Sequence, residues 1–338
     1  MKKILFAAVL AGVALVSCTK NEQKVSDPNK IVFDAPVLAP MTKAELTGTI
    51  FPTTRDFSVF AYYSTAAFTG GNGSLYMDDV TVTHNPGIND TTTGEGGAWA
   101  PTQNYYWPKN GMLSFYAYSP STVTAACNQA KGIQIASYDV KGKEVDVLYS
   151  DLVKDKTTSI ENTNDTYDGV QIPFKHALSV VKVAMKAENA TVADFIKVTS
   201  ISLTNLHEDG AFNQNNGGAA TWTVGTRTGD LSYLAAETAI TATEAAVSSH
   251  IVMPQILADN AMFVVNYKIK HGNLWLDQTK SIALNDMFLQ GSTTEKVASW
   301  EMGKRYIYHL TFDLEQIYFA PTVTDWVDVN VTVPTIGK

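Results

Sequence analysis

Short segments in which apolar residues occupy every second position recur along nearly the whole chain, with turn-forming residues between them. One such segment places Phe57, Val59, Ala61 and Tyr63 on a single face. Alternation of this kind over four to eight residues is typical of half-buried β-strands. No segment has the periodicity of a long amphipathic helix, although residues 235–248 could hold a short one. The pattern therefore predicts an all-β protein built from sandwiches or barrels.

The length and composition indicate that these strands form two units. The chain has 338 residues, of which 45% are apolar and 17% charged. Such a chain can bury a sizeable core, and domains typically hold about 100–200 residues. We place the boundary near residues 174–178. The expected units are an N-terminal sandwich at 44–175 and a C-terminal sandwich at 176–338.

The first residues indicate export. Lys2 and Lys3 precede an apolar run, Ile4–Val16, that is too short for a membrane-spanning helix and fits a secretory signal. The run ends in Leu-Val-Ser-Cys at residues 15–18, which resembles a bacterial lipobox. We therefore expect residues 1–18 to be a lipoprotein signal with Cys18 acylated, followed by a polar tether. The alternative is an ordinary signal peptide that happens to contain Cys18.

The sequence gives little support to an enzyme or a nucleic-acid-binding protein. The net charge is −8, and the basic residues are scattered. The six histidines show no metal-ligand spacing, so we expect no metal and no cofactor. Cys127 has no adjacent base and is predicted to be structural. The acidic pair Glu144 and Asp146 is interpreted as solvated edge charge rather than as a glycosidase pair.

Four stretches, together with the lipobox, resemble the fimbrillin family of Bacteroides-type bacteria, the subunits of type V pili. They occur in order over nearly the whole chain. The stretches are Thr42–Tyr62, Phe174–Val183, Trp300–Tyr308 and Ile317–Trp326.

This resemblance implies two transthyretin-like β-sandwich domains and a structural pilus subunit without catalytic activity. Precursors of the family reach the outer membrane and cell surface as lipoproteins. A protease specific for Arg or Lys then removes the lipidated segment and the first strand, here residues 19–43. The expected cleavage site is Lys43, with Arg55 as the alternative. The vacated groove accepts a strand from another pilin subunit, in a homo- or hetero-polymer.

The residues themselves offer two candidate strands for this exchange. Residues 31–37 alternate with period two behind the polar tether. The C-terminal tail alternates in the same way, and its expected donor positions are Val327, Val329, Val331 and Val333. Either strand could fill one apolar groove; alternatively, both pair within their own subunit.

A shaft position is the leading expectation, with a tip or anchor position as the first alternative. The second alternative is a surface glycan-binding lipoprotein with a host or bacterial surface ligand. Its sugar platform would be formed by Trp99, Tyr105, Tyr106 and Trp107.

Overall fold

The computed structural model describes residues 29–34, 37–38, 51–85, 98–143, 145–158, 169–216 and 218–325. Cys18, Lys43 and the valine tail at 327–333 lie outside the described residues. No helix among the described residues is long and apolar enough to cross a membrane. Nearly all regular structure in the described ranges is β-strand, which confirms the predicted all-β class.

The first half of the chain forms ten strands within the described ranges. They are β1 (Val37–Leu38), β2 (Phe57–Ser64), β3 (Ser74–Asn85), β4 (Ala98–Pro101), β5 (Met112–Ser119), β6 (Ala126–Asn128), β7 (Gly132–Asp139), β8 (Leu148–Ser150), β9 (Val153–Lys156) and β10 (Pro173–His176).

The described part of the second half adds further strands, a short α-helix and a 3-10 turn at Leu284–Asp286. They are β11 (Ser179–Ala187), α1 (Ala190–Ala193), β12 (Ile196–His207), β13 (Asp209–Asn213), β14 (Thr221–Val224), β15 (Thr228–Leu234), β16 (Thr238–Ala239), β17 (Ala245–Val252), β18 (Gln255–Ile256), β19 (Met262–His271), β20 (Leu274–Ala283), β21 (Ser299–Trp300), β22 (Lys304–Phe312) and β23 (Ile317–Asp325).

An eight-stranded sheet dominates the N-terminal half of the described chain. Its order is β1-β10-β8-β5-β2-β3-β4, with β9 also paired to β5. A second sheet, β14-β13-β7-β6, contributes to the same buried core. β13 and β14 lie beyond the predicted division at residues 175 and 176, and β13 pairs antiparallel with β7. The N-terminal core is therefore completed by a segment from the second half of the chain.

Two sheets of the C-terminal half enclose the other large core of the described chain. Their orders are β17-β11-β22-β23 and β15-β12-β19-β20, with β16 paired to β12. β11 and β22 are parallel neighbours, and β22 pairs with β23 antiparallel over the full length of both strands. Phe263 and Tyr308 pack in this core with ring centroids 5.5 Å apart.

β11 belongs to both cores. Val180 lies in the N-terminal core, whereas Val181 and Val183 lie in the C-terminal core. Because successive side chains of a strand point to opposite faces, one strand can be buried on both sides in this way. Its sequence, Ser-Val-Val-Lys-Val-Ala-Met-Lys-Ala, is accordingly apolar at most positions.

The helix considered for residues 235–248 is not present. This stretch contains β16 and the start of β17, which pairs with β11. The short helix lies instead at α1, where the Asn189 side chain accepts a hydrogen bond from the Val192 N–H (3.0 Å). Such a cap satisfies one of the N–H groups that a helix start leaves unpaired.

Candidate strand-acceptor groove

Residues 29–34 run alongside β4 and the chain that follows it. Phe33 and Trp99 exchange two main-chain hydrogen bonds: the Phe33 N–H donates to the Trp99 carbonyl (2.7 Å), and the Trp99 N–H donates to the Phe33 carbonyl (2.9 Å). Two more bonds continue this pairing, from the Ile31 N–H to the Tyr105 carbonyl (2.9 Å) and from the Trp107 N–H to the Asn29 carbonyl (2.8 Å). The segment thus has strand-like pairing on this side.

The other side of the same segment pairs with the chain leading into β10. The Val170 N–H donates to the Val32 carbonyl (2.9 Å), and the Asp34 N–H donates to the Val170 carbonyl (3.2 Å). Further along, β1 pairs in parallel with β10, matching Val37 to Pro173. Because β4 and β10 lie towards opposite ends of the sheet order, this segment joins two edges that would otherwise be open.

We call residues 29–38 the N-terminal segment, and the space between residues 99–107 and 170–174 the acceptor groove. Ile31, Val32, Phe33 and Asp34 have exposed fractions of 1%, 2%, 0% and 6%. The Phe33 ring meets the rings of Phe57 and Phe115 edge-on, with both centroid distances 5.7 Å. This part of the segment is therefore core rather than surface.

The groove wall is shaped for a closely approaching main chain. Gly169 has φ = +72°, and a Cβ at this position would lie 2.4 Å from both the Asp34 nitrogen and the Phe33 carbonyl carbon. Only glycine fits such a contact while also adopting this left-handed conformation readily. Nearby, the Asp34 Oδ2 accepts a hydrogen bond from the Gln171 Nε2 (3.3 Å).

Removing the N-terminal segment would destabilise the fold. Burying a side chain the size of Ile31 or Phe33 stabilises a protein by about 1.5–3 kcal/mol. Each main-chain hydrogen bond contributes roughly 0.5–1.5 kcal/mol net. The emptied groove would expose unpaired main-chain groups on both edges above an apolar floor, and such edges readily pair with another strand.

The aromatic residues considered as a sugar platform form part of this groove wall. Trp99 is buried at 1% exposure, and the Trp107 ring packs edge-on against Phe115 at 6.0 Å. Tyr105 lies beside Tyr76, with ring centroids 6.3 Å apart. Tyr106 is 45% exposed, so the four rings do not share one exposed surface.

Arg55, the alternative cleavage residue, lies in a turn directly before β2. Its N–H donates to the Pro52 carbonyl (2.9 Å), and its Nη1 donates to the Asp146 carbonyl (3.3 Å). Phe51, four residues earlier, is fully buried against Trp99, with ring centroids 5.0 Å apart. Cleavage after Arg55 would therefore separate a core aromatic residue from the folded body.

Asp146 is not the solvated edge charge expected from the sequence. It is fully buried, and its Oδ2 lies 2.6 Å from the His176 Nδ1. A buried carboxylate needs such a partner because desolvation without one is costly. The other member of the predicted acidic pair, Glu144, lies outside the described residues. No group of three or more His, Cys, Asp or Glu among the described residues could hold a metal ion.

Cys127 is a half-buried free thiol in β6. Burial raises the pKa of this thiol to about 12, so it is protonated at neutral pH. The thiolate is the reactive form of cysteine. These properties support a structural role rather than a nucleophilic one.

Comparisons with known proteins agree with this architecture. A family model described as fimbrillin-like matches residues 42–326. The fimbrium subunit Fim1C of Phocaeicola vulgatus is 26% identical over 189 residues, and the match covers 51% of this chain and 48% of that protein. The chain thus spans about half the length of this relative. A Bacteroides uniformis protein whose name also refers to Fim1C is 22% identical, covering 97% of this chain and 96% of its own.

A solved structure shares the fold. The crystal structure of a fimbrial protein from Bacteroides vulgatus superposes with a TM-score of 0.56 at 18% identity, covering 88% of this chain and 100% of that chain. Since the family model covers most of the sequence, the chain belongs to the fimbrillin-like family, which is a family of structural fimbrial subunits rather than of enzymes.

Proposed function

We propose that this fimbrium subunit joins its neighbours by strand exchange. It is made as a lipoprotein acylated at Cys18 and carried to the outer membrane, where a protease cleaves after Lys43. Loss of the N-terminal segment opens the acceptor groove, and a strand from another subunit fills it. The tail at 327–333 in turn enters the groove of a further subunit.

The observation that carries this proposal is the two-sided pairing of residues 29–34. A strand bonded only on one side could leave without opening the fold, whereas this one joins two sheet edges and fills the core between them. Its replacement must therefore supply both main-chain hydrogen bonds and apolar side chains. Strand addition from a partner chain provides both.

Lys43 is the better cleavage site of the two considered. It precedes Phe51, so cleavage there leaves that core residue attached to the body. The place of the tail in the chain supports its donation: it follows β23, which is an edge strand of its sheet within the described chain. A subunit that both accepts and donates a strand suits a position inside the fimbrium rather than at its tip.

Photo-crosslinking in cells tests the exchange. A benzophenone amino acid replaces Tyr105, whose carbonyl accepts the hydrogen bond from Ile31. In the uncleaved precursor, the crosslinked peptide should contain residues 29–34 of the same chain. In sheared fimbriae, the crosslink should instead join this chain to a peptide of another subunit.

The matched control places the same amino acid at Trp275, in β20 of the C-terminal half. It should not yield the donor-strand peptide. If the chain incorporated into fimbriae still crosslinks to its own residues 29–34, the proposed exchange does not occur.

A further inference from the structure

The side chains of the N-terminal segment show which residues fit the acceptor groove. Phe33 lies between Phe57 and Phe115, and the Phe115 ring is contacted in turn by Trp107 at 6.0 Å. Aromatic pairs in edge-to-face geometry add about 0.5–1.5 kcal/mol beyond simple burial. A strand that replaces the N-terminal segment therefore binds best with an aromatic ring at this position.

The chain's own tail does not offer such a ring. Its apolar phase consists of Val327, Val329, Val331 and Val333, so every register of that phase places valine in the Phe33 pocket. Valine leaves part of the pocket empty, and a cavity in a packed core is costly because its lining relaxes only partially.

Trp326 cannot solve this mismatch. If it occupied the Phe33 pocket, the residue at the Ile31 position would be Asp328 for one strand direction and Thr324 for the other. The first choice buries a carboxylate in an apolar site, which is costly. The second uses Thr324, a residue of β23 that already pairs with Arg305 of β22.

The opposite phase of the strand gives an independent mismatch. Val32 faces away from Ile31 and Phe33, yet only 2% of it is exposed. The tail carries Asp328, Asn330 and Thr332 between its valines. Whichever of these polar side chains occupied the buried Val32 position would lose its hydration, a cost that valine does not incur.

We infer that the groove of this subunit accepts its strand from a different subunit, one whose donor strand carries an aromatic side chain at the Phe33 position and an apolar one at the Val32 position. This inference rests on the proposed strand exchange. Its consequence is that the chain does not form a homopolymer through its own groove and tail. Its neighbour on the groove side is a non-identical pilin.

A competition experiment on the full-length chain tests this selectivity. A recognition sequence for a site-specific protease is inserted after Lys43, and cleavage leaves the N-terminal segment held only by non-covalent contacts. Four peptides then compete with it: residues 29–38, the same peptide with Phe33→Val, residues 326–338, and that tail with Val329→Phe. Native mass spectrometry measures how much of the segment each peptide displaces.

We expect the 29–38 peptide to displace the segment and the Phe33→Val peptide to do so at least about tenfold less effectively. The unmodified tail should also compete at least tenfold less effectively, and Val329→Phe should improve it. If the unmodified tail competes as well as residues 29–38, the inferred preference for a non-identical donor is wrong, while the proposed strand exchange is not contradicted. If no peptide displaces the segment even after prolonged warming, the exchange itself is wrong, and the selectivity with it.

Discussion

The ring of Phe51 stacks on that of Phe174, with centroids 5.5 Å apart and planes inclined by 26°. Phe174 lies in β10, which also pairs with β1 of the N-terminal segment. The residues just before β2 are thus fixed in the core next to the groove. Cleavage before Phe51 keeps this contact, whereas cleavage after it removes the Phe51 ring from the core.

The first prediction concerns the cleavage point. Lys43→Gln should block maturation, because it removes the proposed cleavage site. Cleavage at the alternative, Arg55, cannot replace it, since a cut there would remove Phe51 from the core. Arg55→Gln should mature normally. The measurement is the N-terminal sequence of protein sheared from cells, which we expect to begin at Ala44. A mature chain beginning at Asp56 would contradict this assignment.

The second prediction concerns the resident strand before cleavage. Phe33→Ala should lower the free energy of unfolding of the intact chain by about 3–5 kcal/mol, because it removes a fully buried ring. The matched control is Phe195→Ala, at a residue that is 37% exposed, and its effect should be much smaller. Urea unfolding of the two variants provides the comparison. Equal losses would show that Phe33 contributes no more than a surface ring.

The third prediction follows from the pKa of about 12 for the Cys127 thiol, which burial raises. At pH 8, a group with that pKa has a thiolate fraction of about 10⁻⁴, compared with roughly a quarter for a free cysteine. In a Cys18→Ser background, alkylation of the native protein should therefore be at least about 100-fold slower than in urea. The native rate should rise about tenfold per pH unit between pH 8 and 10. Rapid native labelling at pH 8 would contradict the raised pKa.

The fourth prediction concerns membrane attachment of the precursor. Cys18→Ala should abolish acylation and release the precursor from the outer-membrane fraction, since stable anchoring requires acyl chains. Metabolic labelling with palmitate and membrane fractionation measure the two effects. Unchanged labelling in the variant would show that another residue carries the lipid.

The fifth prediction concerns the donor tail. Val329→Asp should prevent the tail from filling a neighbour's groove, because burying an unpaired charge costs several kcal/mol. Asn330→Asp should have a smaller effect, because it replaces a side chain that is already polar with one of similar size. In both variants the acceptor groove is unchanged, so each can still receive a strand. The measurement is the length of the fimbriae on cells expressing either variant; equal lengths would argue against donation through the valine face.

Alternation was sufficient to predict strands such as β2 and β22, because a period-two pattern directly reflects which face is buried. It could not predict that β13 would pair with β7, since pairing between distant strands depends on the packing of the whole chain. The burial of Asp146 beside His176 was missed for the same reason: the two residues lie in different parts of the sequence.

The candidate site was only partly predictable. The alternation of residues 31–37 identified a strand, but the sequence could not show that it bonds to two edges at once. The sequence also did not show the role of Trp99, because an aromatic residue near a glycine-rich loop can stack on a ligand or fill a core. Its place beside Phe51 and Phe57 became evident only from the fold.

The placement of Val180 and Val181 in different cores has a mechanical consequence for a filament. If subunits are joined by the proposed strand exchange, tension would enter this subunit at the acceptor groove and leave through the tail that follows β23. The load would then pass from β23 to β22 through their nine register pairs, and from β22 to its parallel neighbour β11. Because β11 is packed into both cores, the two halves of the subunit share this load through one continuous strand rather than through a flexible joint.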